Sequence, residues 1–219
     1  MIDLGHYKTI VFDCDGVILD SNKIKTDAFY QAALPYGHEA AKRLVEYHQR
    51  NGGISRFKKF EYLLSHLVAA DAEGPGLDEL LRCYATEVAS GLMNCAVADG
   101  LLELRAQYPA TRWMVASGGA QCELREVFEA RGLAPLFDGG IFGSPDTKEV
   151  IVARELVAGN LQLPALFLGD SRYDHVAASQ FELDFVFVSK WSEFDGWEVY
   201  CRDNGLPNIE AVSSLADFA

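Results

Sequence analysis

Val11-Phe12-Asp13-Cys14-Asp15-Gly16-Val17-Ile18-Leu19-Asp20-Ser21 runs an apolar segment straight into two acids one residue apart. The residues leading into it, 9–12, read as a strand buried on both faces. At the carboxyl end of a central parallel strand, a D-x-D spacing sets both carboxylates into the crevice where such sheets bind ligands. Gly16 then permits a sharp exit. Two like charges that close need a proton or a cation between them, and hard oxygen ligands suit Mg²⁺. Taken alone, the same residues also read as a fragment of an EF-hand calcium loop. The rest of that loop is missing, because no third acid precedes Gly16 and no Glu follows at the required distance.

Moving outward, short apolar runs recur at 113–116, 165–168 and 185–188, with a shorter candidate at 140–142. Between them lie amphipathic helical segments, 121–131 stopped by Gly132 and 148–158 stopped by Gly159. This alternation predicts a doubly wound α/β core with a parallel, Rossmann-like sheet. Residues 21–95 carry no strand signal. Their apolar spacing is helical, with Phe57, Phe60, Leu64 and Leu67 on one segment and Leu77, Leu81, Tyr84 and Val88 on another. Glu73-Gly74-Pro75-Gly76 breaks the two. So much helix between two strands exceeds an ordinary crossover. It predicts an inserted all-helical cap over 21–96, with the core formed by 1–20 and 97–219.

The chain has 219 residues, 49% of them hydrophobic, which suits one domain with a smaller insertion. No apolar run approaches the roughly 20 residues of a membrane span, and the first residues lack the pattern of a signal peptide. The expected location is the cytoplasm. Five cysteines, Cys14, Cys83, Cys95, Cys122 and Cys201, show no disulfide or metal-knuckle spacing. A net charge of −13 argues against nucleic acid and anionic membranes as partners. Residues 22–60 run the other way, with eight basic and three acidic residues, a balance of +5 that leaves −18 for the rest.

Three more stations follow predicted strands. Ser117-Gly118-Gly119 opens a predicted helix, where backbone N–H groups and a hydroxyl make an anion site; Ser117 as a plain helix N-cap is the alternative. Lys148 begins another helix, where the dipole prefers acids; it reads as functional or as a solvated surface lysine. Asp170 and Asp174, in Gly169-Asp170-Ser171-Arg172-Tyr173-Asp174, read as metal-directed acids or as helix caps. Each station alone is weak. Together, each closing a separate strand of one sheet, they specify a site.

The order D-x-D-G, Ser, Lys, G-D-x-x-x-D resembles the haloacid dehalogenase-like superfamily over nearly the whole chain. The long helical insertion is similar to that of its small-cap class I members, in the β-phosphoglucomutase and phosphoglycolate phosphatase branch. The resemblance implies Asp13 as nucleophile and Asp15 as general acid and base. It implies Mg²⁺ bound by the Asp13 carboxylate, the Asp15 carbonyl and Asp170, with Asp174 orienting the cluster. Ser117, Gly118 and Lys148 would hold the phosphoryl oxygens. The expected activity is phosphomonoester hydrolysis of a small phosphorylated metabolite such as a sugar phosphate or sugar-acid phosphate, by a monomer or homodimer. Gly53-Ile54-Ser55-Arg56 resembles the substrate-gripping cap loop of the phosphomutases, an alternative activity, but Lys25 stands where those enzymes place a histidine. Arg56, with Lys23 or Lys25, is the expected contact to a second anionic group. Lys42, Arg43, Lys58 and Lys59 read as a solvated helix face, and His175 as structural. A non-catalytic binding protein on the same fold is the remaining alternative.

Overall fold

The computed structural model describes residues 3–69 and 71–218; Met1, Ile2, Ala70 and Ala219 lie outside the described residues. Six parallel strands form one sheet in the order β3-β2-β1-β4-β5-β6. They are β1 (Thr9–Phe12), β2 (Arg112–Ala120), β3 (Ile141–Ser144), β4 (Ala165–Gly169), β5 (Asp184–Val188) and the short β6 (Asn208–Ile209). The chain winds outward from β1 in both directions. The switch point therefore falls beside β1, where an open parallel sheet leaves a crevice at its carboxyl end.

Apolar residues cover both faces of the sheet, as the strand composition predicts. Ile10, Phe12, Leu166 and Leu168 enter the larger core. Val11, Ala165 and Phe167 point the opposite way into the smaller one. The core helices are α5 (Leu101–Gln107), α6 (Gln121–Ala130), α7 (Lys148–Val157), α8 (Arg172–Ser179) and α9 (Trp197–Asn204). The aromatic C-terminal segment packs onto the sheet, with Trp197 stacked on Phe187 at 5.3 Å.

Between β1 and β2 lie α1 (Asn22–Ala33), α2 (His38–Arg50), α3 (Arg56–Tyr62) and α4 (Leu77–Asn94). Chain exit and return run side by side: the Asp20 N–H donates to Ala96 O at 3.0 Å, and the Ala98 N–H to Ile18 O at 2.8 Å. The helices share a core through Phe29, Phe60 and Tyr84 that is continuous with the larger one. The expected apolar stripe on α3 is out of phase with the observed one. After Tyr62 the chain widens into a π-helical turn over Leu63–Leu67. Phe60 and Leu63 are the residues buried, and Phe57 is 38% exposed.

Candidate active site

β1 ends by delivering Asp13 into the crevice. The Asp13 N–H still belongs to the sheet, donating to Leu168 O at 2.9 Å, so the side chain is fixed by the central strand pair. Its Oδ1 accepts from the Cys14 N–H at 2.7 Å and lies 2.9 Å from Lys148 Nζ. Among the described residues nothing donates to Oδ2. Gly16 turns the chain at φ 78°, and a Cβ there would fall 2.2 Å from Asp170 Oδ2. The glycine thus provides both the left-handed turn and the space for the fourth-station acid.

Asp170 follows β4. Its Oδ2 accepts from Asn22 Nδ2 at 2.6 Å, while its carbonyl accepts from Ser192 Oγ at 2.6 Å. Asp174 lies in the first turn of α8 and closes a capping box with Ser171, its Oδ2 accepting from Ser171 Oγ at 2.6 Å. The other oxygen, Oδ1, accepts from Lys148 Nζ. The two readings of Asp174 are therefore compatible: one oxygen caps the helix and the other faces the site.

One oxygen from each of Asp13, Asp170 and Asp174 lies within 4.8 Å of the other two, and all three residues are buried. Burial first, then the neighbouring Asp174 and Asp15, push Asp13 up to about 7 against the lowering pull of Lys148. Burial, then Asp13 and Asp174, hold Asp170 well above the carboxylate range. Lys148 is itself buried, yet the two carboxylates hold its ammonium charged, above the usual lysine range. Three buried oxygen donors sharing one lysine remain short of positive charge. An all-oxygen set of this kind suits a hard divalent cation such as Mg²⁺.

Asp15 does not join this cluster with its side chain. Oδ1 accepts from Ser21 Oγ at 2.6 Å and Oδ2 pairs with Lys25 Nζ at 2.5 Å. Burial disfavours its charge, but Lys25 outweighs burial and holds Asp15 below the carboxylate range. A metal role for Asp15 is thus confined to its backbone carbonyl, which accepts no hydrogen bond among the described residues.

The second station differs from expectation. β2 runs on through Ala120, and α6 starts at Gln121 with Ala120 as its N-cap, so Ser117 caps no helix. The cause is pairing: after a register shift, Ala120 pairs with Ser144 of β3 and keeps the glycines in the strand. Ser117 is buried and its Oγ accepts from the Gly119 N–H at 3.0 Å, with no acceptor for the hydroxyl proton among the described residues. Gly118 and Gly119 line the cavity below.

A cavity of about 280 Å³ separates the helical insertion from the sheet, lined by Asp13, Asp15 and Asp170 on one side and by Lys25, Arg56 and Lys59 on the other. The insertion closes down tightly. A Cβ on Gly118 would lie 2.2 Å from Gly53 O. Arg56 reaches the cavity but is committed to Glu123 of α6, with 2.9 and 2.7 Å hydrogen bonds to its two oxygens, and it stacks over Tyr84. Lys25 is committed to Asp15. Lys23 is not brought to the cavity: its side chain is 79% exposed and pairs with Asp27 one turn along. Its place in α1 is off the buried stripe of Lys25, Ala28, Phe29 and Ala32. Lys59, expected in solvent, is 2% exposed. His175 bonds to Tyr200 at 2.7 Å, away from the cavity.

Fold and site together define an α/β protein with an acid-lined crevice at the carboxyl ends of its central strands and a helical insertion after the first. The chain belongs to the haloacid dehalogenase-like hydrolases, whose family model matches residues 7–181. Solved structures with the same fold include a predicted phosphoglycolate phosphatase from Haemophilus somnus, 16% identical over 99% of both chains, with a TM-score of 0.74. CbbY from Rhodobacter sphaeroides, solved in complex with phosphate, is 16% identical over 95% of this chain and 96% of its own, with a TM-score of 0.71. A putative haloacid dehalogenase-like hydrolase from Bacteroides fragilis is 18% identical over 95% and 99%, with a TM-score of 0.70. No curated protein matches the chain. Among the described residues no helix is long and apolar enough to cross a membrane.

Proposed function

We propose that this protein is a Mg²⁺-dependent phosphomonoesterase that transfers the phosphoryl group of a small metabolite to Asp13 and then to water. One observation carries the reading: a buried carboxylate with one oxygen free, beside a charged lysine, within a cluster of three acids at the head of a cavity. The names of the phosphatase and of the phosphate-bound relative point the same way. Asp13, Asp170 and the Asp15 carbonyl would hold Mg²⁺, with Asp174 orienting the cluster. When bound, the ion offsets the charge of carboxylate and phosphate so that the two can approach.

In the first step Asp13 Oδ2 attacks phosphorus, the bond to the leaving oxygen breaks, and Asp15 gives that oxygen a proton. In the second a water attacks phosphorus, Asp15 takes its proton, and the bond to Asp13 breaks to release phosphate. Lys25 keeps Asp15 ionised in the free protein, the form needed by the second step. A phosphate dianion against it raises its affinity for a proton, which Asp15 takes up from solvent as the substrate binds and gives to the leaving oxygen in the first step. Lys148, Gly118 and the unsatisfied Ser117 hydroxyl would hold the equatorial oxygens, where positioning and charge supply most of the catalysis. Residues 21–96 would act as a cap that excludes water. The commitment of Arg56 to Glu123 favours hydrolysis over a mutase, which must grip a second phosphate. Phosphate release from a panel of phosphorylated sugars and sugar acids, with Mg²⁺ and with EDTA, tests the reading. Turnover that survives EDTA or Asp13→Asn contradicts it.

A further inference from the structure

Four cationic side chains are buried in or beside the cavity, and three of them face a carboxylate: Lys25 with Asp15, Arg56 with Glu123, Lys148 with Asp13 and Asp174. Lys59 has none. Among the described residues its ammonium makes one polar contact, 2.6 Å to His48 Nδ1, and it lies 5.4 Å from the Phe29 ring centroid. Burial, then Lys25, bring it down to about 7, although Asp15 and Asp170 act on it from a distance. His48 is held neutral, first by burial and then by Lys59. When Lys59 carries its charge it can only donate, so His48 Nδ1 then accepts and the ring proton sits on Nε2, which gives the pair a second donor.

A buried amine that forgoes a counter-ion is costly unless something supplies one. Both residues line the cavity, on the helical insertion and so on the side that meets whatever the phosphate is attached to. Lys59 and His48 thus stand together at the cavity wall, with no carboxylate paired to the ammonium among the described residues. One ammonium and one neutral N–H match the two oxygens of a monoanion. Arg56, the group better suited to a dianion, is already paired.

We propose that Lys59 and His48 form a carboxylate-binding subsite, so that the preferred substrates are phosphate esters carrying a carboxylate on the leaving group, of the phosphorylated sugar-acid or hydroxy-acid class. This deepens the phosphatase reading and rests on it. The subsite replaces Lys23, Lys25 and Arg56 as the source of recognition for a second anionic group.

The test uses matched pairs of phosphorylated sugar acids and the alditol phosphates made by reducing their carboxylates, such as 6-phosphogluconate and glucitol 6-phosphate. The parent protein is expected to favour the acid in kcat/KM by about 10- to 100-fold, the worth of one charge-assisted hydrogen bond. Lys59→Met is expected to reduce that ratio towards one. Removing a buried charge should leave its thermal midpoint at neutral pH no lower than the parent's, which separates lost recognition from misfolding. Calorimetric binding of each pair to Asp13→Asn protein, with and without Lys59→Met, gives the same comparison without turnover. Equal hydrolysis of acid and alditol by the parent, or an unchanged ratio in the variant, overturns the subsite and leaves the phosphatase standing. Neither turnover nor binding of any ester overturns both.

Discussion

Lys148→Met exposes how the acid cluster is held. The lysine side chain is fully buried, 2.9 Å from Asp13 Oδ1 and hydrogen-bonded to Asp174 Oδ1. At an effective dielectric of about 20, one unit-charge pair at about 3 Å is worth roughly 5 kcal/mol, and two pairs about twice that. Desolvating the ammonium takes back several kcal/mol, so the net loss on removing it falls at about 3–5 kcal/mol, the usual cost of breaking a buried ion pair. With a urea m-value of about 2 kcal/mol/M, the midpoint in EDTA should drop by roughly 2 M. Three carboxylates then remain with no internal cation, so Mg²⁺ should raise the variant's midpoint more than the parent's. The assay is urea unfolding followed by circular dichroism, in EDTA and in Mg²⁺. A variant as stable as the parent in EDTA refutes the reasoning, and so does equal Mg²⁺ stabilisation of the two.

The same electrostatics sets a pH dependence. Asp13 titrates at about 7 in the metal-free fold and at about 4 unfolded, so the folded state binds more protons between those values. Stability in EDTA should therefore fall as pH rises from about 4 to about 7, a loss that Mg²⁺ reduces; urea midpoints across that range check it. Arg56→Ala removes two charge-assisted hydrogen bonds but leaves Glu123 able to rehydrate, so unfolding should show a loss of about 2 kcal/mol. Gly118→Ala drives a methyl into Gly53 O. Displacing that loop should lower kcat/KM by about 100-fold, with a smaller effect on the urea midpoint.

Five of the six strands were legible because they are short, apolar and closed by turn or acidic residues, features that need no tertiary information; β6, only Asn208–Ile209, carries no such run. Asp13 and Asp170 were legible for the same reason as those five, being anchored to strand ends, and Asp174 from its spacing four residues on, in the first turn of the helix after β4. Side chains on the insertion were harder to read because charge was counted without helical phase. Lys25 precedes Ala28, Phe29 and Ala32 at helical spacing and so points inward with them, whereas Lys23 falls off that stripe. Arg56, Lys59 and Phe60 share a face of α3, a signal that would have found Lys59. His48 likewise continues the stripe of Ala41 and Leu44 on α2. The helix expected to open at Ser117 fails for another reason: whether Gly118 and Gly119 extend a strand or open a helix depends on pairing with β3, a contact between residues over twenty positions apart. Asn22 carries no motif of its own, and only the fold brings it to Asp170.

The proposed mechanism requires a covalent bond between phosphorus and Asp13, which borohydride can capture during turnover. Reduction of an aspartyl phosphate converts that residue to homoserine, and peptide mass mapping should find the change at position 13, only with substrate and Mg²⁺ present. An unmodified Asp13 in protein quenched while hydrolysing its ester, or a phosphoryl group mapped to another side chain, contradicts the account.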